Sequence, residues 1–264
     1  MKPSVARWIA GFFVLCSYVI FIPLFLPADR LELWAAYWGV FFVLAYLVAR
    51  FLGLPGLSGL GMKMHSGWSG NLATGFLAGA AVYAVKYAAF SALGKFEVTG
   101  VMPAAYILQT VLLAVVAMLF SSLLNDVVIR GFLYSAGRHH RLAKLFLPAS
   151  VFLYVLTDAL MAGFGWVNVV FSGILGLAFG YTVLKTGSIW MSFGLHWGGN
   201  VMYRMMYGFN GQGVLKLADG PDRAVYDLAG LGITALMLPV IFLVLEKRRT
   251  ARQAEVSAGQ RDLN

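Results

Sequence analysis

Six side chains able to move protons or hold polarised groups lie in sequence that otherwise reads as membrane-spanning helix. They form three groups: Asn125-Asp126-x-x-x-Arg130, Asp158 and His196-x-x-x-Asn200. Ionisable groups are expensive in hydrocarbon, so within a span they face a protein or water-filled interior and are functional candidates by default. Asp126 and Arg130 are four apart and can meet on one helical face. His196 and Asn200 repeat that spacing, and Arg204 continues the stripe one turn outward. A neutral imidazole can accept or donate a proton near physiological pH. A carboxamide does not titrate, but it orients water or donates to a developing oxyanion. Side by side, these groups could line a wet cavity that positions water against a peptide carbonyl. Structural roles compete with chemical ones. Asp126–Arg130 can be a helix-bracing ion pair, Lys86 can neutralise Asp158, and His196 with Asn200 can be hydrogen-bonded interior residues. Arg204 reads as a snorkelling residue near the outer interface. His139 and His140 lie in a basic loop, where they are expected to be solvated or bound to lipid headgroups.

The elements that position these groups follow from the apolar runs. Of 264 residues, 60% are hydrophobic and 12% charged, far below the roughly 25% charged residues of a soluble chain. The expected class is an all-α, polytopic membrane helical bundle. Runs bounded by charge, Gly or Pro give eight spans, roughly 8–27, 32–52, 69–93, 103–137, 145–161, 165–184, 187–208 and 226–246. The fourth exceeds the roughly 20 residues one crossing needs, so a kink near Gly131 or a continuation along the inner surface is expected. The first follows Lys2 and Arg7 but lacks a clear signal-peptidase site, and it reads as a retained helix. With both termini cytoplasmic, inner segments hold thirteen Lys/Arg and outer loops only Arg30, Lys95, Lys216 and Arg223, as the positive-inside rule requires. Counted from the nearest inner basic residue at about 1.5 Å per residue, Asp126 lies about 18 Å in, Asp158 about 21 Å and His196 about 16 Å. Lys86, counted inward from Lys95, falls near the same depth.

One transmembrane domain, 1–249, is expected, followed by a polar, disordered cytoplasmic tail, 250–264. The segment 53–70 reads as an inner loop with a short surface helix. Cys16 is the single cysteine, which excludes intrachain disulfides and cysteine-rich metal sites. The net charge of +9 follows the loop asymmetry, so the expected partner is the bilayer and not nucleic acid. Gly75-x-x-x-Gly79, Gly176-x-x-x-Gly180 and Gly194-x-x-x-Gly198 read as close-packing faces.

At the polar residues the chain resembles the CAAX-protease and bacteriocin-processing (Abi) family of intramembrane proteases. That family's pattern is Glu-Glu-x-x-x-Arg, then Phe-x-x-x-His, then His-x-x-x-Asn or Asp on successive core helices. Here the blocks read Asn125-Asp126-Val-Val-Ile-Arg130-Gly, Tyr154-x-x-x-Asp158, and Gly187-Ser-Ile-Trp190 followed by His196-Trp-Gly-Gly-Asn200. The similarity spans roughly residues 70–210. It implies a helical core that hydrolyses peptide bonds near the membrane, or binds the same peptides, membrane-associated or prenylated.

The departures fall on the implied catalytic groups. The glutamate to which the family's water activation is assigned aligns with Asn125, which cannot be a general base. The second glutamate is Asp126, and the middle histidine is Asp158. In one reading the base has moved to Asp158, with His196 and Asn200 stabilising the transition state, Asp126–Arg130 bracing the helix and Asn125 orienting water. In the other the chain is a pseudoprotease that holds membrane peptides without cutting them. A proton-coupled transporter is a third class, but it predicts paired broken helices in inverted repeats, and no clear pair is visible. A resident metal or other cofactor is left open.

Overall fold

Eight runs of helix-compatible apolar residues become helices in the computed structural model, which describes residues 3–27 and 29–247. They are α1 (Val5–Phe21), α2 (Leu31–Phe51), α3 (Trp68–Ala92), α4 (Ala104–Asn125) with its continuation α5 (Leu133–His139), α6 (Phe146–Ala162), α7 (Trp166–Thr186), α8 (Trp190–Tyr207) and α9 (Ala224–Ala235). After a turn at Leu236 the last helix resumes and runs to Lys247. Pro239 accounts for that break, because it lacks an N–H and its ring crowds the carbonyl four residues back. Pro103 caps the start of α4. Gly187, at φ 69°, ends α7 in a left-handed turn that allows α8 to start almost at once. The tail 250–264 lies outside the described residues.

Among the described residues, seven helical segments are long and apolar enough to cross a membrane. Their outward faces carry Phe13, Leu24, Leu77, Leu108, Phe152 and Leu243, all exposed, as expected of a surface whose solvent is lipid. This is a multi-pass membrane protein. The eighth expected span, α8, falls below that apolarity because Ser192, His196, Asn200 and Arg204 interrupt it. It is a core helix of the bundle, with residues Trp190–Leu195 buried without exception.

The expected kink in the fourth span takes a definite form. Helix runs from Ala104 to His139, but Asp126–Phe132 are π-helical. Such wide turns are rare, and they occur frequently at functional sites.

The glycine motifs set the closest approach in the bundle. A Cβ at Gly79 would lie 2.2 Å from the Leu195 carbonyl oxygen, and one at Gly198 would lie 2.1 Å from that of Phe76. Thus Gly75-x-x-x-Gly79 on α3 and Gly194-x-x-x-Gly198 on α8 face each other, backbone to backbone. On α7, Gly176 lies against the Val151 backbone of α6, where a Cβ would come within 3.2 Å of its Cα, and Gly180 makes room for the Leu147 side chain.

The segment 53–70 contains a 3₁₀ turn, Gly56–Leu60, and clamps the α7–α8 turn. Ile189 N–H donates to Gly61 O at 3.1 Å, Trp190 Nε1 donates to Lys63 O at 2.9 Å, and His65 Nε2 lies 3.0 Å from Ser188 Oγ. At the opposite end, β1 (Phe96–Val101) pairs antiparallel with β2 (Leu215–Asp219), from Phe96 opposite Asp219 to Val101 opposite Leu215. The helical reading did not include this small sheet. Its strands are more than a hundred residues apart, so no local turn announces the pairing.

Candidate functional site

The π-helical segment carries the site. Its wide turn presses Gly131 against the inner loop, where a Cβ would meet the Leu60 carbonyl oxygen at 1.9 Å. Asp126 and Arg130 both point inward and have no exposed surface. Arg130 Nη1 lies 3.2 Å from Asp126 Oδ2. The contact is an ion pair and not an aligned hydrogen bond, since the guanidinium N–H groups find no acceptor in hydrogen-bonding geometry. The cation lies against two ring faces instead, 4.5 Å from the Tyr154 centroid and 4.7 Å from that of Phe179.

Three contacts zip α8 onto this strand of helix. Ser192 Oγ donates to Asp126 Oδ1. His196 Nδ1 lies 3.0 Å from Asp126 Oδ2. One turn further out, Asn200 Nδ2 donates to Ser122 Oγ at 3.1 Å. Ser122–Asp126 and Ser192–His196–Asn200 each advance by four residues, so each set holds one face. The carboxylate of Asp126 accepts, so the hydrogen on His196 is assigned to Nδ1. Nε2 makes no hydrogen bond among the described residues and keeps its lone pair. The imidazole is fixed by stacking on Phe179 (centroids 5.2 Å apart) and by edge contact with Tyr154 at 5.7 Å.

The other expected residues behave differently. Asn125 is half-buried, and its Nδ2 donates back to Ser121 O at 3.1 Å. Asp158, also half-buried, accepts from Ser172 Oγ on α7. Tyr154, one turn before Asp158, is the residue of the middle block that touches both Arg130 and His196. Lys86 is not ion-paired to Asp158; its Nζ lies over Tyr83 at 3.9 Å and Phe171 at 4.6 Å. Arg204 Nη1 donates to Gly208 O at 3.1 Å and caps its own helix, where snorkelling had been expected. His139 and His140 are half-buried beside Trp8, with ring centroids 5.3 and 5.8 Å away. They are thus less exposed than fully solvated rings would be.

Sequence reasoning had not singled out Ser122, Ser192 and Phe179. For the two serines a signal existed: each lies four residues before a site residue, on the same face. Among the described residues no three His, Cys, Asp or Glu side chains are grouped so as to hold a metal ion.

Fold and site together define a membrane-embedded helical bundle with a polar cluster held between its core helices. The comparison with family models narrows this class. Residues 107–202 match the Rce1-like family, type II CAAX prenyl endopeptidase Rce1-like. The match runs from within α4 into α8, just past Asn200, and bears out the resemblance read from the three polar blocks: this part of the chain is similar to CAAX-type membrane proteases. No curated protein and no solved structure matches the chain.

Proposed function

We propose that the chain is an intramembrane peptidase of the CAAX-protease type, acting on membrane-associated peptides, in which the base is His196 oriented by Asp126. The observation that carries this reading is the Asp126 Oδ2···Nδ1 His196 contact at 3.0 Å, which leaves Nε2 facing away from the carboxylate. A carboxylate on Nδ1 holds the tautomer and stabilises the imidazolium once it forms. Nε2 would take a proton from a water molecule as the water oxygen attacks the peptide carbonyl carbon. The same proton then passes to the leaving nitrogen as the C–N bond breaks, while the second water proton stays on the attacking oxygen, giving a carboxylic acid and an amine. Asn200 has a second N–H beyond the one given to Ser122, available to a developing oxyanion. Arg130, always charged, balances Asp126. Asn125 and Asp158 then need not replace the missing glutamate. We place the protein in the cytoplasmic membrane with both termini cytoplasmic.

The test is mass-spectrometric detection of products from membrane peptides, prenylated and unprenylated, incubated with purified protein. Cleavage is expected to fall about 10²–10⁴-fold in His196→Ala, the usual worth of general acid–base assistance, while Asp158→Asn changes it little. Cleavage lost in Asp158→Asn and kept in His196→Ala would move the base to Asp158.

A second reading is a site that binds peptides without cutting them. The observation favouring it is that Asn125, where a carboxylate would be free to activate water, instead bonds its own helix. Peptide binding by the parent with no cleavage of any peptide would establish this reading in place of the first.

A further inference from the structure

Lys86 stands apart from every other buried ionisable side chain described. It lies inside the bundle, 7% exposed, towards the sheet end of α3, and its ammonium has no carboxylate within ion-pair reach and no hydrogen-bond acceptor among the described residues. Its Nζ faces three rings instead: Tyr83 at 3.9 Å, Phe171 at 4.6 Å and Tyr87 at 5.4 Å. Ring faces attract a cation, but they accept none of its three N–H bonds well, and buried charges normally have a counter-charge. Arg130, by contrast, has both its rings and its carboxylate.

Two walls of this box are shared with the candidate site. A Cβ at Gly199, next to Asn200, would lie 2.8 Å from the Tyr83 ring. Phe171 precedes Ser172, whose hydroxyl holds Asp158. From the level of Gly199, Lys86 is about one helical turn, roughly 5 Å, further along α3. The stem is covered by α9, where Gly230 leaves just enough room: a Cβ there would lie 4.0 Å from Lys86 Cδ and 3.0 Å from Phe90.

From this arrangement we infer that Lys86 with Tyr83, Tyr87 and Phe171 forms a carboxylate-binding subsite for the peptide held at the Asp126–His196–Asn200 site. The inference rests on the peptide reading above. A lone ammonium offers one positive charge and no fork, which suits a singly charged carboxylate; a phosphate would call for further cations or backbone N–H groups. The aromatic walls suit apolar residues flanking that carboxylate. It can be the peptide's C-terminus or a Glu or Asp side chain.

The experiment measures binding of one apolar membrane peptide to the full-length protein in detergent, in three forms: free C-terminal acid, C-terminal amide, and amide with one added glutamate. The parent is expected to bind the acid about 10–100-fold more tightly than the amide, the range of a charge-assisted hydrogen bond in a buried site. Lys86→Met, which keeps the stem, is expected to bind both forms equally. Selectivity regained with the glutamate peptide assigns the carboxylate to a side chain; its absence assigns it to the C-terminus. If Lys86→Met does not fold, protection of Lys86 from an amine-reactive label is read in the parent, and acid but not amide peptide should protect it. Equal binding of all three forms by the parent overturns the subsite and leaves the peptide reading standing. Equal selectivity in the parent and Lys86→Met places the carboxylate elsewhere. Absence of binding by any peptide removes both.

Discussion

At the scale of single residues, the site depends on how completely the Asp126 carboxylate is surrounded. Ser192, His196 and Arg130 meet it from two helices, and none of the aspartate is exposed. Breaking a buried pair by removing one partner typically costs about 3–5 kcal/mol, because the remaining charge is left uncompensated. Arg130→Met should therefore lower stability in detergent by that amount. Adding Asp126→Asn should recover part of the loss, giving a double variant more stable than the sum of the singles predicts. Chemical denaturation of the three variants checks this, and single variants as stable as the parent would remove the bracing role. Ser192→Ala should cost less, about 1–3 kcal/mol, the penalty for leaving a buried acceptor without its donor.

At the scale of elements, the rungs between α4 and α8 exist because α3 can press α8 into place. The contact is backbone on backbone at Gly75, Gly79, Gly194 and Gly198. Without a hydrophobic drive between helices in lipid, such close approach is what van der Waals packing requires. Gly198→Ala puts a methyl 2.1 Å from the Phe76 carbonyl oxygen, so the helices must separate. The expected loss is about 1–3 kcal/mol, as for other overpacked cores. Gly173→Ala on α7 is the control: a Cβ there meets nothing within 4 Å, and the change should be neutral or stabilising by up to about 1 kcal/mol. Thermal melts of the two variants in one detergent separate these outcomes. Equal melting temperatures would show that the α3–α8 contact is not under tension. If the rungs depend on this contact, Gly198→Ala should also weaken peptide binding.

At the scale of the whole molecule, the inner loop fastened to the α7–α8 turn and the outer sheet joining β1 to β2 put the connections on two opposite ends. Together with the Lys/Arg asymmetry, this supports the proposed orientation, with the loop end cytoplasmic. With Cys16 changed to Ser, a cysteine at exposed Met64 should label only from the cytoplasmic side, and one at exposed Val98 only from the opposite side. The reverse pattern in sealed vesicles would invert the molecule; labelling of both from one side would contradict the topology. Sequence by itself determined the helices, their ends and the glycine faces, because each is a local property: twenty apolar residues in a row, a proline or glycine to stop them, a small residue every fourth place. It also marked Asp126, Arg130, His196 and Asn200, because ionisable and strongly polar groups are costly in hydrocarbon wherever they fall. Equal depth along separate helices, however, says nothing about rotation around their axes. Only the tertiary structure decided that Asp126 meets His196, that Asp158 turns to Ser172, that Asn125 folds back on its own helix and that Lys86 faces rings without a carboxylate. Those outcomes depend on which face each helix presents. That is set by long-range packing at the glycine contacts and by the π-helical turn at Asp126–Phe132, which shifts the helical phase in a way no regular periodicity in the sequence records.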